Sequence, residues 1–167
     1  AVILPDGFLF GTDNAKVNIK KKLLREFNLH TVIRMPGSVF SPYTSITTNI
    51  LFFDNTHPTE EIWFYRLDMP EGYKHFSKTK PMKLEHFQPV MDWWDNREEI
   101  NEDGFDKAKK FTAQQLTEEL GYNLDQCGYP HEEEEILAPM DLIQRYEEQR
   151  ASLNAKIHRV LGQITNL

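Results

Sequence analysis

The chain opens on an apolar run, Ala1-Val2-Ile3-Leu4, that meets Pro5-Asp6-Gly7. In such a turn proline presets its backbone angle and glycine permits conformations that other residues resist. The abrupt apolar start reads as a buried strand whose sheet neighbours lie upstream of Ala1. Ala15, Ile19, Leu23, Leu24 and Phe27 then recur mostly at three- and four-residue spacing, which predicts a helix with Thr12 or Asp13 as its N-cap. Leu29 to Arg34 has a β-branched centre, Thr31-Val32-Ile33, and predicts a second strand that Met35-Pro36-Gly37 ends. Thr47 to Asp54 and Ile62 to Leu67 predict two more strands. The polar loop Asn55 to Thr59 suits a hairpin between them.

Regularity falls after Met69. Lys78-Thr79-Lys80-Pro81 reads as loop, and Leu84 to Trp94 as a short helix burying Phe87, Val90, Met91 and Trp94, with Pro89 tolerable only in the first turn. Thr112 and Gln115 form a capping box, Phe111 and Leu116 stand where a hydrophobic staple needs them, and Gly121 closes that helix at Leu120. The last stretch is the most periodic. Ile143, Tyr146, Arg150, Leu153, Ile157, Val160, Ile164 and Leu167 keep the a/d rhythm of a coiled-coil seam, with Pro139 and Asp141 marking its first turn. At about 1.5 Å per residue that helix is about 40 Å long. Its stripe either packs back on its own domain or covers a partner. Strand, helix and strand in succession make an α/β pattern. Three zones follow from it: 1–68 as α/β sheet, 69–137 as a mixed connecting region with short helices, and 138–167 as one long helix.

Composition narrows the class. The chain is 40% apolar, 27% charged and 12% aromatic. That is enough apolar material for a folded core. Cys127 is alone, which excludes a disulfide framework. No apolar run approaches the length of a membrane helix, roughly 18 residues. Without a charged leader before an apolar stretch, a cytoplasmic location is the expectation. The net charge of −7 speaks against a generic basic nucleic-acid-binding domain, since phosphate neutralisation needs clustered cations. Lys16, Lys20, Lys21, Lys22 and Arg25 do cluster, as the solvated face of a helix or as a DNA-facing patch. The six histidines form no ligand set, so no metal is expected, and Cys127 lacks an activating neighbour. Trp93 and Trp94 read as core and rim of one helix.

Four ordered blocks carry a family likeness: Leu4-Pro5-Asp6-Gly7-Phe8-Leu9-Phe10-Gly11, Asn28-Leu29-His30-Thr31-Val32-Ile33-Arg34-Met35-Pro36, Val39-Phe40-Ser41-Pro42-Tyr43-Thr44 and Thr48-Asn49-Ile50-Leu51-Phe52-Phe53. With Gly121-Tyr122-Asn123-Leu124-Asp125 and the terminal helix, they resemble the second half of the modification (M) subunit of type I restriction-modification systems. The resemblance implies the C-terminal part of a Rossmann-like class I methyltransferase sheet, followed by a mainly helical region with a long C-terminal helix. It further implies methyl transfer from S-adenosylmethionine to adenine N6 in DNA. The family's cofactor glycine loop and Asn-Pro-Pro-aromatic motif belong upstream. Neither occurs here, Gly7 and Gly11 being too weak a pair, so no catalytic residue is assigned and the chain alone is expected to be inactive.

The family position of Phe40 suggests an aromatic face for an extruded base, against the plainer reading of a core phenylalanine. Asp6 sits beyond the carboxyl end of a strand, where open α/β sheets bind ligands, although Pro-Asp-Gly is also an ordinary turn. Tyr43, Thr44, Ser45 and Thr47 form a hydroxyl-rich loop able to touch DNA, and Asn49 reads as structural. The implied partners are DNA, a specificity (S) subunit, a second M subunit and, where restriction accompanies modification, a restriction subunit. Tyr146, Leu153, Ile157, Val160 and Ile164 are the expected subunit interface. The competing reading is a non-catalytic module that docks the S subunit through this helix.

Overall fold

The computed structural model describes residues 1–128 and 139–165. Its centre is a six-stranded sheet built from β1 (Val2–Pro5), β2 (Asn28–Arg34), β3 (Thr48–Asp54), β4 (Glu61–Arg66), β5 (Ile100–Glu102) and β6 (Phe105–Thr112), in the order β1-β3-β2-β4-β6-β5. β2 pairs with β4 in parallel, and every other pairing is antiparallel. The expected β3–β4 hairpin does not form. β2 lies between the two strands, pairing Val32 with Leu51 on one side and with Phe64 on the other. The centre of β2 is buried. Burial on both faces rewards a strand that is paired along both edges. β1 is antiparallel to β3 but runs in the same direction as β2 and β4, so the carboxyl ends of all three meet at one edge.

Two cores flank the sheet. Leu29, Leu51, Ile62 and Phe64 pack with Leu9, Leu24, Leu116 and Leu124 in one, and Ile33, Tyr65 and Leu67 pack with Val90 and Trp93 in the other. Helix α1 (Asp6–Leu9) follows β1 directly, so Pro-Asp-Gly starts a helical turn in place of the reverse turn its residues suggest. The carbonyl of Gly7 stands 2.7 Å from where a Cβ on Gly11 would lie. Only glycine lets the chain pass this close.

Helix α2 (Asn14–Glu26) is capped by the Asp13 side chain, which accepts from the Lys16 N–H at 3.0 Å, as a short polar side chain does at an N-cap. Its buried face differs from the predicted stripe. Ala15 and Ile19 point outward while Lys20 is only 1% exposed. The ammonium of Lys20 donates to the carbonyls of Leu9 and, at 3.0 Å, Gly11. These bonds satisfy carbonyls at and just past the end of α1 and hold Lys20 on the buried side of α2. Burial pushes the Lys20 pKa down.

Helix α3 (Gln88–Trp94) follows a 3₁₀ turn at Leu84–Phe87, with Pro89 in its first turn as the sequence requires. Val90 and Trp93 are buried, Trp94 lies at the rim, and Met91 is exposed. The Thr112–Gln115 capping box forms, leading into a π-helical turn at Gln115–Glu119. Strands β5 and β6 carry no clear strand pattern, because β6 alternates lysines with few apolar residues. Lysine stems supply the packing there. Lys109 lies over Phe111 and Lys110 over Trp63, around a fully buried Ala108.

His30 of β2 sits between Phe52 and Trp94, its Nδ1 2.8 Å from the Thr31 hydroxyl. Burial, followed by the nearby charge of Arg97, holds it below the ordinary histidine value of 6.5, since both disfavour the charged ring. The unfolded chain therefore binds this proton at a higher pH than the folded one, and stability falls as pH drops through 6.5 and below. Urea midpoints across that window should fall with acidity in the native sequence and fall less in His30→Gln. Parallel curves would remove His30 from the acid response.

Contacts divide the chain into two compact units, Ala1–Pro130 and His131–Leu167. The second contains α4 (Pro139–Thr165). Among the described residues no helix is long and apolar enough to cross a membrane.

Candidate functional site

The carboxyl edge of β1, β2 and β4 gathers most of the polar chemistry. Arg34 ends β2, and its guanidinium reaches the Asp6 carboxylate at 2.7 Å and the Asp125 carboxylate with a second nitrogen. Asn49, buried at the start of β3, donates its amide to the other Asp6 oxygen at 2.5 Å. Arg66, the register partner of Arg34 on β4, donates to the Asp68 carboxylate at 2.7 Å and to the Gly128 carbonyl at 2.9 Å. The two arginines thus fasten the 121–128 segment across this edge. Leu124 anchors the segment from below, burying its side chain and donating its N–H to the Leu9 carbonyl at 3.1 Å. Charge-assisted pairs of this kind, largely out of water, hold geometry better than exposed ones.

A loop projects from the same edge after β2. Ser38, at φ 60°, begins a pair of tight turns in which Ser41 N–H donates to the Ser38 carbonyl and Tyr43 N–H to the Phe40 carbonyl, both at 2.9 Å. The Ser41–Pro42 peptide is cis. Phe40 belongs to neither core and is 39% exposed, and Tyr43 is 93% exposed. An aromatic pair held outside the core by its own backbone turns offers flat apolar faces at a strand-end edge, where a planar ring can stack.

A family model described as N-6 DNA Methylase matches residues 1–136. The chain belongs to that family. A type I restriction enzyme EcoEI methylase subunit of Escherichia coli is 44% identical over 173 residues, covering 97% of this chain and 34% of that protein. The StySJI methylase subunit of Salmonella typhimurium is 35% identical over 102 residues, covering 53% of this chain and 18% of that protein. Among solved structures, a chain from a type I restriction-modification system superposes with a TM-score of 0.62 at 28% identity, over 98% of this chain and 35% of that one. The type I methyltransferase subunit from Streptococcus thermophilus gives 0.58 at 26% identity, over 74% and 25%. The chain therefore spans about a third of the length of the first of these curated relatives. Its α/β sheet is part of a class I methyltransferase-like fold.

Within this N-6 methylase frame the sequence-predicted residues divide. Asp6, Asn49 and the Phe40 loop do meet at one edge. Asp6, however, is engaged by Arg34 and Asn49, and acts as a cornerstone of the edge more than as an open ligand. Thr44 turns its hydroxyl inward to accept from the Ile46 N–H at 3.1 Å, whereas Ser45 is exposed. The DNA-facing reading of the α2 cations weakens: Lys16 pairs with Asp13 at 2.9 Å, Lys20 is buried, Lys21 lies over Tyr122 and Lys22 faces Glu26 at 3.7 Å. Arg34, Arg66 and Asp125 escape sequence reasoning, since Arg34 and Asp125 stand 91 residues apart.

Neither Gly11 nor Asp6 offers an open place for S-adenosylmethionine. The space beside Gly11 is filled by Lys16 and the Gly7 carbonyl, and the acid at the edge is already paired. Cys127 is buried, with its thiol facing the Phe64 carbonyl at 3.7 Å. Desolvation pushes that thiol up to about 12. It stays protonated at neutral pH and should resist thiol reagents until the fold is opened by denaturant. Rapid labelling of native protein would contradict that.

On α4, Tyr146, Leu153 and Ile157 are 62%, 61% and 48% exposed. Of Val160 and Ile164, only the helical backbone belongs to the described residues.

Proposed function

We propose that this chain is the target-base side of a type I methylase subunit, which transfers a methyl group from S-adenosylmethionine to adenine N6 in DNA. The observation that carries the reading is Phe40, held out of both cores by its own turns at the carboxyl edge of the sheet. N6 of adenine is out of reach inside a duplex, so the nucleotide must leave the stack, and an aromatic face compensates the lost stacking. Stacking of one base is worth about 1 to 3 kcal/mol. The Arg34–Asp6–Asn49 cluster holds the edge from which that face projects. The cofactor, when bound, supplies the methyl group from a cradle formed by the remainder of the longer subunit, and the chain alone is inactive. In the methylase subunit that contains this chain, Phe40→Ala should lower methyl transfer about 10- to 100-fold, with cofactor affinity unchanged. Unchanged turnover on cognate duplex, or a comparable loss of cofactor binding, would count against the assignment.

The exposed stripe of α4 favours a second, compatible role. Tyr146, Leu153, Ile157, Val160 and Ile164 dock the subunit on helices of the specificity subunit, which also brings a second M subunit to the DNA. An interaction module without catalysis would keep this docking and lack the Phe40 effect.

A further inference from the structure

The loop between β4 and the 3₁₀ turn is, like the start of α2, a cationic stretch in an acidic chain, and here the lysines are exposed. From Gly72 to Leu84 there are four lysines, Lys74, Lys78, Lys80 and Lys83, one histidine and no carboxylate, against a net charge of −7 overall. All four lysines are exposed. Among the described residues Lys74 and Lys78 have no ion-pair partner, and Lys83 meets Glu85 at 3.3 Å.

The loop is held in place despite its polarity. Phe76 is fully buried against Tyr73 and His86, with ring centroids 5.6 and 5.5 Å away. The tip is closed by reciprocal bonds, Ser77 N–H to the Lys80 carbonyl at 3.0 Å and Lys80 N–H to the Ser77 carbonyl at 3.1 Å, so Lys78 and Thr79 stand at its apex. Lys80 lies over the Tyr73 ring at 5.5 Å. Most tellingly, the Phe76 N–H donates to the Ser38 hydroxyl at 2.8 Å, which ties the lysine loop to the turns that carry Phe40.

We propose that this loop is a phosphate-binding surface for duplex DNA, with Lys74, Lys78 and Lys80 contacting the backbone beside the nucleotide that Phe40 receives. The inference rests on the target-base reading above. Lysines on a loop closed by its own backbone bonds, with serine and threonine hydroxyls between them, suit contacts that position a duplex without reading its sequence. Because Ser38 links the two loops, holding the backbone and holding the base become parts of one joined surface. Acidic protein surface is the competing partner for such a loop, but it would not explain the tether to Phe40.

The test uses the methylase subunit in complex with its specificity subunit and measures duplex affinity from about 50 to 200 mM salt. Each lost phosphate contact lowers the slope of log K against log salt by about 0.9, so Lys74→Ala/Lys78→Ala/Lys80→Ala should lower it by about 2.7. Over that range the unmodified complex should then lose about 40-fold more affinity than the variant. Cognate and non-cognate duplexes should weaken equally, with cofactor binding unchanged. The control, Lys22→Ala/Arg25→Ala, lies at the end of α2 that feeds β2, at the opposite edge of the sheet, and should leave the slope alone. An unchanged slope in the triple variant overturns the proposal. So does loss of assembly with the specificity subunit at unchanged slope, which would make the loop a protein interface. Failure of the unmodified complex to methylate adenine would instead remove the target-base reading itself.

Discussion

On the proposed docking through α4, replacing Leu153 and Ile157 together by Asp should abolish co-purification of the methylase subunit with a specificity subunit while leaving the fold of the sheet domain intact. Both side chains stand exposed on a 27-residue helix. The two positions are four residues apart and share one face with Tyr146. If helices of a partner cover that face, two buried carboxylates without counterions cost far more than the interface gains from its remaining contacts. A loss of at least about 100-fold in affinity is the expected size, by analogy with removal of interface anchors worth about 2 kcal/mol or more each. Size-exclusion chromatography of the mixed subunits reads assembly, and circular dichroism of the variant reads folding. Unfolding of the variant would turn the stripe into internal core. Normal assembly would end the docking proposal.

The second large effect concerns stability. Arg34→Met removes the cation shared by Asp6 and Asp125, whose side chains are 18% and 26% exposed, and leaves two carboxylates at a common edge. Breaking a largely buried pair from one side typically costs about 3 to 5 kcal/mol, and the partial exposure here places the expected loss near the lower end, about 3 kcal/mol. For a chain of this size that lowers Tm by about 10 °C. Arg34→Lys keeps the charge but lacks the fork that reaches two carboxylates at once, so its loss should be intermediate. If Arg34→Met unfolds within about 0.5 kcal/mol of the native protein, the cluster carries little stability and Asp6 is free for other work.

Local signals are the legible ones. The Asp13 cap, the Thr112–Gln115 box, Pro89 in a first turn and the β-branched centre of β2 each follow from interactions spanning a few residues. The strand order does not follow. A polar loop between β3 and β4 argues for a hairpin, and only long-range pairing of β2 with both strands overrides it. β6 stays hidden because an apolar-polar alternation cannot register lysine methylenes as packing material. At the site, Phe40 is visible through its family block and Asp6 through its place beyond the end of a strand, yet Asp6 changes character once Arg34 and Asn49 are found around it. The lysine loop reads as plain loop in sequence, because its significance comes from the Phe76–Ser38 tether across 38 residues of chain.

The most direct measurement places the extruded base itself. In a cognate duplex, 5-iodouracil in the position of the target adenine forms a mismatch, which lowers the cost of leaving the stack. Irradiation of the assembled methylase with this duplex, followed by peptide mapping, reports which side chain lies against the base. The target-base account predicts a cross-link within residues 38–44, centred on Phe40, that disappears in Phe40→Ala. A cross-link confined to parts of the subunit outside this chain, with residues 38–44 unlabelled, would contradict it.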